Sequence, residues 1–464
     1  MYHAAVPPQP PAPKLHLASG VGLVAANMIG AGVFLSAGFM AQDMGPGPIL
    51  LAWILGLVMA LCGALAYGAV ARLVPRSGGE YRYLSELLHP AAGYLAGWAS
   101  LLLGFSAPIA VDALAAGAFA RTVLPGVSPT LAAAALVVLL TAFHAIGFKT
   151  SFRLQNMLIS AKIILLVGFV AVGLGLGTHA WPADWTGEAV AGGFPTGAFA
   201  SSLFFITFAF SGWNAAVYAA EEFGDPARDV PRAMLVGTVL VGLLYLVVNW
   251  IFVANLTPAD ATVVFKYDAF TKGQAVEGGT VTLGHAVVTR LVGPAAGALW
   301  SAVTVMVFVS AMSAMIFLGP RVYAAMARDG FLPRFLAGRG EHPPRSAIVL
   351  QGALALVIVL TQPLQAVLAM VGGVLMLFAA LTALGLLVAR ARGRTPTPSL
   401  AALGAAVIYV VVSAWLFFKA ITNPFGAGTT GQRLLGVVGV LALGLAGWAL
   451  SRRVAARRAG GPAA

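Results

Sequence analysis

Two charged side chains stand inside otherwise apolar runs. Lys162 lies within Leu158-Ile159-Ser160-Ala161-Lys162-Ile163-Ile164-Leu165, and Asp112 within Ala107-Pro108-Ile109-Ala110-Val111-Asp112-Ala113-Leu114. A lysine at the centre of a lipid-spanning helix costs about 2.5–3.5 kcal/mol on insertion scales, so it needs partners inside the protein. An ammonium there can tether neighbouring helices, and it also holds a proton that it can release; both roles are open. Asp112 can read a cationic or polar ligand group, take up a proton during a working cycle, or sit satisfied at the edge of a vestibule. His144, near the inner end of the fourth apolar run, reads more readily as a packing histidine than as a coupling group.

Two glycine-bearing interruptions of apolar helices fall in corresponding places of the two halves. The first is Asn27-Met28-Ile29-Gly30-Ala31-Gly32-Val33-Phe34 and the second Phe208-Ala209-Phe210-Ser211-Gly212-Trp213-Asn214. Glycine lets the backbone unwind, and unwound backbone at membrane depth persists only where it is buried in protein or lines a cavity. The half-helix after a break offers amides and the positive end of its dipole, which suit a carboxylate. The carbonyls before it suit an ammonium. The amides around Ala31 and Gly32 are expected to hold a carboxylate, and the carbonyls of Met28, Phe208 and Ser211 an ammonium. Such a site recognises the constant part of an α-amino acid. Small residues also serve close helix packing in membranes, but paired breaks are the sequence mark of a transporter built from inverted repeats.

Composition sets the surroundings of these residues. The chain is 60% hydrophobic and 9% charged, where a soluble domain carries about 25% charged residues. Its apolar runs are long and continuous, which excludes an alternating β-barrel pattern. The expected architecture is an all-α polytopic membrane protein. Twelve spans are predicted near 17–41, 47–74, 91–121, 131–148, 154–177, 198–221, 233–256, 292–327, 346–361, 364–389, 399–421 and 433–451. Spans three and eight exceed one perpendicular crossing.

Most of the 27 Lys and Arg residues fall on one side of this arrangement, among them Arg72, Arg76, Arg82, Lys149, Arg153, Arg228, Arg232, Arg321, Arg328, Arg345 and the tail Arg452 to Arg458. The other side holds Arg121, Lys266, Lys272, Arg290, Lys419 and Arg433. The positive-inside rule then places both termini in the cytoplasm, in a plasma (inner) membrane. It also accounts for the net charge of +12 through the lipid bilayer, without nucleic acid. Residues 1–16 read as a Pro-rich cytoplasmic tail without a signal-peptide core, and 452–464 as a basic tail. No metal-ligand spacing, cofactor motif or nucleophile–base arrangement is present, so neither an enzyme nor a cofactor is expected.

Several motifs resemble the amino acid–polyamine–organocation transporter family, and in particular its bacterial L-type amino acid transporter branch. They are Met28-Ile29-Gly30-Ala31-Gly32-Val33-Phe34, Pro75-Arg76-Ser77-Gly78-Gly79-Glu80-Tyr81, the run from Phe208 to Arg232, and Pro320-Arg321-Val322-Tyr323-Ala324-Ala325-Met326-Ala327-Arg328-Asp329-Gly330. The resemblance implies a LeuT-type 5+5 inverted repeat with discontinuous helices 1 and 6. The first repeat would span 17–177, the second 198–389, and two peripheral helices 399–451. It implies an amino acid substrate, alternating access, and spans one, two, six and seven moving against three, four, eight and nine. It implies that Phe208 gates the site, that Asn214 lies beside it, and that Lys162 takes the place of a sodium ion. Ser310 and Ser313, with carbonyls near Gly30, are then the expected partners of Lys162. Ala31 stands where the family commonly has serine, which leaves the carboxylate to backbone amides.

Neutral substrates are expected, by exchange or proton-coupled uptake, with a cationic amino acid or polyamine read by Asp112 as the alternative. A membrane sensor that binds amino acids without moving them is the alternative of another class. Glu221 and Glu222 are expected to pair with Arg228 and Arg232. Cys62, the single cysteine, is mid-span and offers no disulfide to the accessory subunit that animal relatives can carry, so no obligatory subunit is expected.

Overall fold

A computed structural model describes residues 15–41, 44–123, 126–178, 196–255, 283–338, 344–362, 364–422, 438–439 and 441–451. The expectations for 1–14 and 452–464 lie outside them. Among the described residues the regular elements are helices, with one isolated bridge between Leu15 and Phe223. Seven helices are long and apolar enough to cross a membrane, and five shorter apolar helices accompany them.

The chain opens with α1 (Leu17–Met28) and α2 (Ala31–Ala41), which together fill the first predicted span. α3 (Pro46–Leu73) starts on a proline, whose missing N–H costs nothing in a first turn. α4 (Glu80–Leu87) is a short amphipathic helix outside the crossing segments. The third span is compound: α5 (Pro90–Ala99), a π-helical turn over Ser100–Phe105, then α6 (Ser106–Val123). α7 (Pro129–Ile146) is capped by the Ser128 hydroxyl, and α8 (Phe148–Leu176) follows after Gly147. The second half runs through α9 (Thr196–Ala209), a 3-10 stretch over Ala215–Glu222, and α10 (Pro226–Ala254), capped by Asp225. α11 (Leu283–Val292) precedes α12 (Pro294–Arg328), whose 35 residues span about 50 Å at 1.5 Å each, well beyond a hydrocarbon core of about 30 Å. α13 (Arg345–Thr361), α14 (Leu364–Ala391) and α15 (Leu400–Thr422) complete the bundle.

Two packing groups are apparent. α10 lies along α3 and α1, whereas α6 lies along α12 and α7, and α7 along α13. The groups meet at the two helix breaks.

One end of the bundle is latched by charge. Glu222 and Arg321 are both buried and form a two-point ion pair, Nε–Oε1 at 2.5 Å and Nη2–Oε2 at 3.1 Å. Arg321 also donates to the Phe317 carbonyl and lies 4.0 Å from the centre of the Phe317 ring. The Glu222 carbonyl accepts from the Leu15 amide at 2.7 Å. Asp329 receives the Tyr81 hydroxyl at 2.5 Å and Arg82 at 3.0 Å. Burial, then the hydrogen bond to Asp329, holds the Tyr81 phenol well above its ordinary pKa range, so it stays a donor at neutral pH. The expected partners of Glu221 and Glu222 are corrected here. Glu222 takes Arg321, and Glu221 lies 4.0 Å from Arg76. Asp225 caps α10 by accepting the Arg228 N–H at 3.2 Å, and Glu222 turns inward because Arg321 is the buried cation facing it. Breaking a buried pair strands its partner, so Arg321→Ala should cost about 3–5 kcal/mol. A melting midpoint in detergent within 2 °C of the parent's would contradict this.

Candidate functional site

The first break is fixed from three sides. α1 ends where Ile29 swings to φ −79°, ψ 90°, and α2 begins at Ala31. This frees the last carbonyls of α1 and the first amides of α2. Lys162, 1% exposed on α8, donates to the Ala26 carbonyl at 2.9 Å and the Ile29 carbonyl at 2.5 Å. Asp112, 3% exposed on α6, accepts the Ala31 N–H at 2.9 Å. The hydroxyl of Tyr245 on α10 reaches the Met28 carbonyl at 2.6 Å and the Ala209 carbonyl at 3.2 Å, so one side chain holds both breaks. Opposite fixed charges thus sit on adjacent peptide groups of a single unwound stretch.

The second break follows α9. Ser211 donates its amide to the Phe208 carbonyl, and Gly212 takes φ +99°, a conformation that suits glycine. A Cβ on Gly212 would stand 2.8 Å from the carbonyl carbon of Asn27 and 2.9 Å from its oxygen. A Cβ on Gly32 would run into the backbone of Ala209. The glycines in both interruptions therefore let the two unwound segments touch backbone to backbone.

A cavity opens beside this contact. Asn27, Thr207, Phe208, Ser211 and Asn214 line it from the breaks. Phe105 and Pro108 contribute from the π turn and α6, and Met315, Met376 and Tyr409 from further helices. Glu80 closes one side. Its carboxylate accepts from Asn214 Nδ2 at 2.7 Å, Tyr67 at 3.0 Å and Tyr218 at 2.6 Å.

Of the residues expected from sequence, Phe208, Ser211 and Asn214 line the cavity. Met28, Ile29, Gly30, Ala31 and Gly32 are buried behind it, where Asp112 and Lys162 reach them. Several backbone groups assigned to a ligand are engaged by the protein itself: Ala31 N–H by Asp112, the Met28 carbonyl by Tyr245, and the Phe208 carbonyl by Ser211. A membrane interior leaves no water to satisfy them. The serines expected beside Lys162 differ as well. Ser313 bonds His144 Nε2 at 2.9 Å and Gln155 Oε1 at 2.6 Å, and the buried Ser310 hydroxyl has no hydrogen-bond partner. The two carbonyls satisfy the ammonium first. Among the described residues no group of His, Cys, Asp and Glu could hold a metal ion.

A model of the amino acid permease family matches residues 15–443. This chain belongs to the amino acid permease family. The permease is 28% identical over 436 residues to Asc-type amino acid transporter 1 of Mus musculus, spanning 89% of the permease and 78% of that protein. It is 26% identical over 388 residues to b(0,+)-type amino acid transporter 1 of Oryctolagus cuniculus, spanning 81% and 76% respectively. Large neutral amino acids transporter small subunit 2 of Mus musculus matches at 26% over 419 residues, 87% of the permease and 75% of that protein. The family and the relatives agree with the resemblance read from the motifs.

Sequence reasoning passed over Glu80, Tyr245, Asn27 and the π turn. Glu80 lies within a motif already singled out, and a carboxylate there among small and aromatic residues was its available signal. Tyr245 gives none, being one aromatic in an apolar helix. The π turn is anchored by the Ser106 hydroxyl on the Leu101 carbonyl at 2.8 Å, a contact five residues long that no composition rule marks.

Proposed function

We propose that the permease is a sodium-independent secondary transporter of neutral amino acids, working by alternating access. What carries this reading is the meeting of two unwound segments beside a cavity, with a lysine ammonium already seated on the carbonyls of the first. An ammonium donating to Ala26 and Ile29 leaves those oxygens no role as sodium ligands. The substrate carboxylate lies over the second break, whose Ser211, Gly212 and Asn214 line the cavity, because Ala31 and Gly32 are buried behind it and the Ala31 N–H is engaged by Asp112. Its ammonium takes the Ser211 carbonyl and the Asn27 side chain. Neutral side chains fit the remaining walls of Phe105, Met315 and Met376. Asp112 is absent from the cavity walls, so it does not read a cationic side chain there, and the Glu80 carboxylate is engaged by Asn214, Tyr67 and Tyr218.

The full architecture we propose is twelve helices in a LeuT-type 5+5 inverted repeat, 17–177 and 198–389, with 399–451 peripheral. The two packing groups support it: α1, α3 and α10 as the moving part, α6, α7, α12 and α13 as the scaffold. The termini are cytoplasmic by the distribution of basic residues, so the Glu222–Arg321 and Tyr81–Asp329 latches close the inner side. Cys62 is free and buried, in keeping with a chain that works without a disulfide-linked partner in a plasma membrane.

The test is uptake of labelled neutral L-amino acids into proteoliposomes, empty or preloaded, with and without a proton gradient. Binding without flux under every condition would replace the transporter by a sensor. Phe208 is half-buried over the cavity and serves as its gate. Burying an aromatic ring contributes about 1.5–3 kcal/mol, so Phe208→Ala should raise KM about tenfold to a hundredfold in the same assay. An unchanged KM would remove Phe208 from the site.

A further inference from the structure

A line of buried polar side chains joins α7, α8 and α12, and it ends about two helical turns from Lys162 on α8. At the break, Gly30 faces both Asp112 and Ala311 of α12, one residue after Ser310. One turn further along α12, the Ser313 hydroxyl donates to Gln155 Oε1 at 2.6 Å and meets His144 Nε2 at 2.9 Å. His144 Nδ1 then meets the Ser151 hydroxyl at 2.5 Å. Ser151 adjoins Thr150, which is exposed at the start of α8. Gln155 and Lys162 are seven residues apart on α8, hence on one face and about 10 Å apart.

His144, Ser151, Gln155, Ser310 and Ser313 are all at least nine-tenths buried. Two polar atoms along the line, Ser310 Oγ and Gln155 Nε2, have no hydrogen-bond partner. Ser310 is one turn from Ser313 on α12 and Gln155 two turns from Lys162 on α8, where aliphatic side chains would have packed without a desolvation cost. A water bonded to these two atoms would satisfy both.

We propose that this seam carries protons between Lys162 and the cytoplasmic side, with water completing it at Ser310 and Gln155. The inference rests on the transporter reading above. The bonds fix its polarity: Ser313 gives its proton to Gln155, so its oxygen accepts Nε2–H, and Nδ1 accepts from Ser151. A proton arriving at Nδ1 releases the one on Nε2 to the Ser313 oxygen, the Ser313 hydroxyl turns from Gln155 to give its own proton to water, and water protonates the Lys162 amine. Each relay atom gains one proton as its group loses another, and one proton moves in net. Release from Lys162 reverses every bond. The charged groups around the line are Asp112 on α6 at its upper end, Arg321 on α12 below it, held by Glu222, and Arg345 on α13, which donates to the Ile146 carbonyl at 3.0 Å.

The experiment uses the full chain in proteoliposomes with a pH dye inside, supplied with a mixture of labelled neutral L-amino acids. Label exchange and interior acidification are read in the same vesicles for the parent, Gln155→Leu, His144→Leu and His144→Gln. Glutamine keeps hydrogen bonds at position 144 but cannot take up and pass on a proton. The expected result is a tenfold or greater loss of acidification in all three variants, with exchange within twofold of the parent. Restored acidification in His144→Gln would make the histidine a structural link and overturn the relay. So would loss of exchange and acidification together, or a parent that exchanges substrate without acidification. Absence of all labelled flux in the parent would instead overturn the transporter reading.

Discussion

Lys162→Ala should lower the initial rate of amino acid uptake by at least about a hundredfold. The ammonium serves two carbonyls of the first break, and its removal leaves both without this donor. It also leaves Asp112 facing the break with no opposite charge. Removing one member of a buried pair costs about 3–5 kcal/mol, and each 1.36 kcal/mol is a factor of ten in population. The intact break would then be populated two or more orders of magnitude less. The melting midpoint should fall in parallel. Pairing Lys162→Met with Asp112→Leu separates the two effects: the double variant should regain much of the midpoint, since no lone charge remains, but not the uptake. Uptake by Lys162→Ala within threefold of the parent would show that the lysine holds nothing the transport cycle needs.

Gly212→Ala should sharply weaken substrate binding. A side chain at φ +99° costs about 1–3 kcal/mol in backbone strain. The new methyl would also stand 2.8 Å from the backbone of Asn27, which can retreat only by parting the two breaks. Affinity for substrate should fall at least tenfold, with uptake following. Gly22→Ala is the matched control, because a Cβ there meets nothing within 4 Å. Equal binding by the two variants in a ligand titration would mean that the breaks tolerate separation, and the site would have to lie elsewhere.

The positions of both breaks were legible in sequence because glycine clusters inside apolar runs have few explanations. Lys162 and Asp112 were legible for the same reason, since a charge in lipid demands a partner. The choice of partner was not. Lys162 reaches across 133 and 136 residues to Ile29 and Ala26, and the serines on α12 competed for the same ammonium. Helix rotation of a few tens of degrees decides such contests, and a hydropathy pattern does not encode it. The apolar run around Asp112 leaves open whether it reads a ligand group, takes a proton or is satisfied, and its oxygen accepts the Ala31 N–H. His144 was read as packing; its two ring nitrogens are bonded to α8 and α12. The long α12 and the compound third span were expected from length alone, but not the π turn within the latter.

The pairing of Asp112 with Lys162 has an electrical consequence. The Lys162 ammonium and the Asp112 carboxylate reach adjacent peptide groups of the first break, and their charges sum to zero. In the proposed cycle the unloaded carrier returns without moving net charge at this site across the bilayer, and a zwitterionic substrate adds none. A membrane voltage contributes about 2.3 kcal/mol per elementary charge per 100 mV, and here it would find nothing to act on except a co-transported proton. Current recorded across a bilayer therefore counts protons per substrate directly, and homoexchange of one neutral amino acid should be electrically silent.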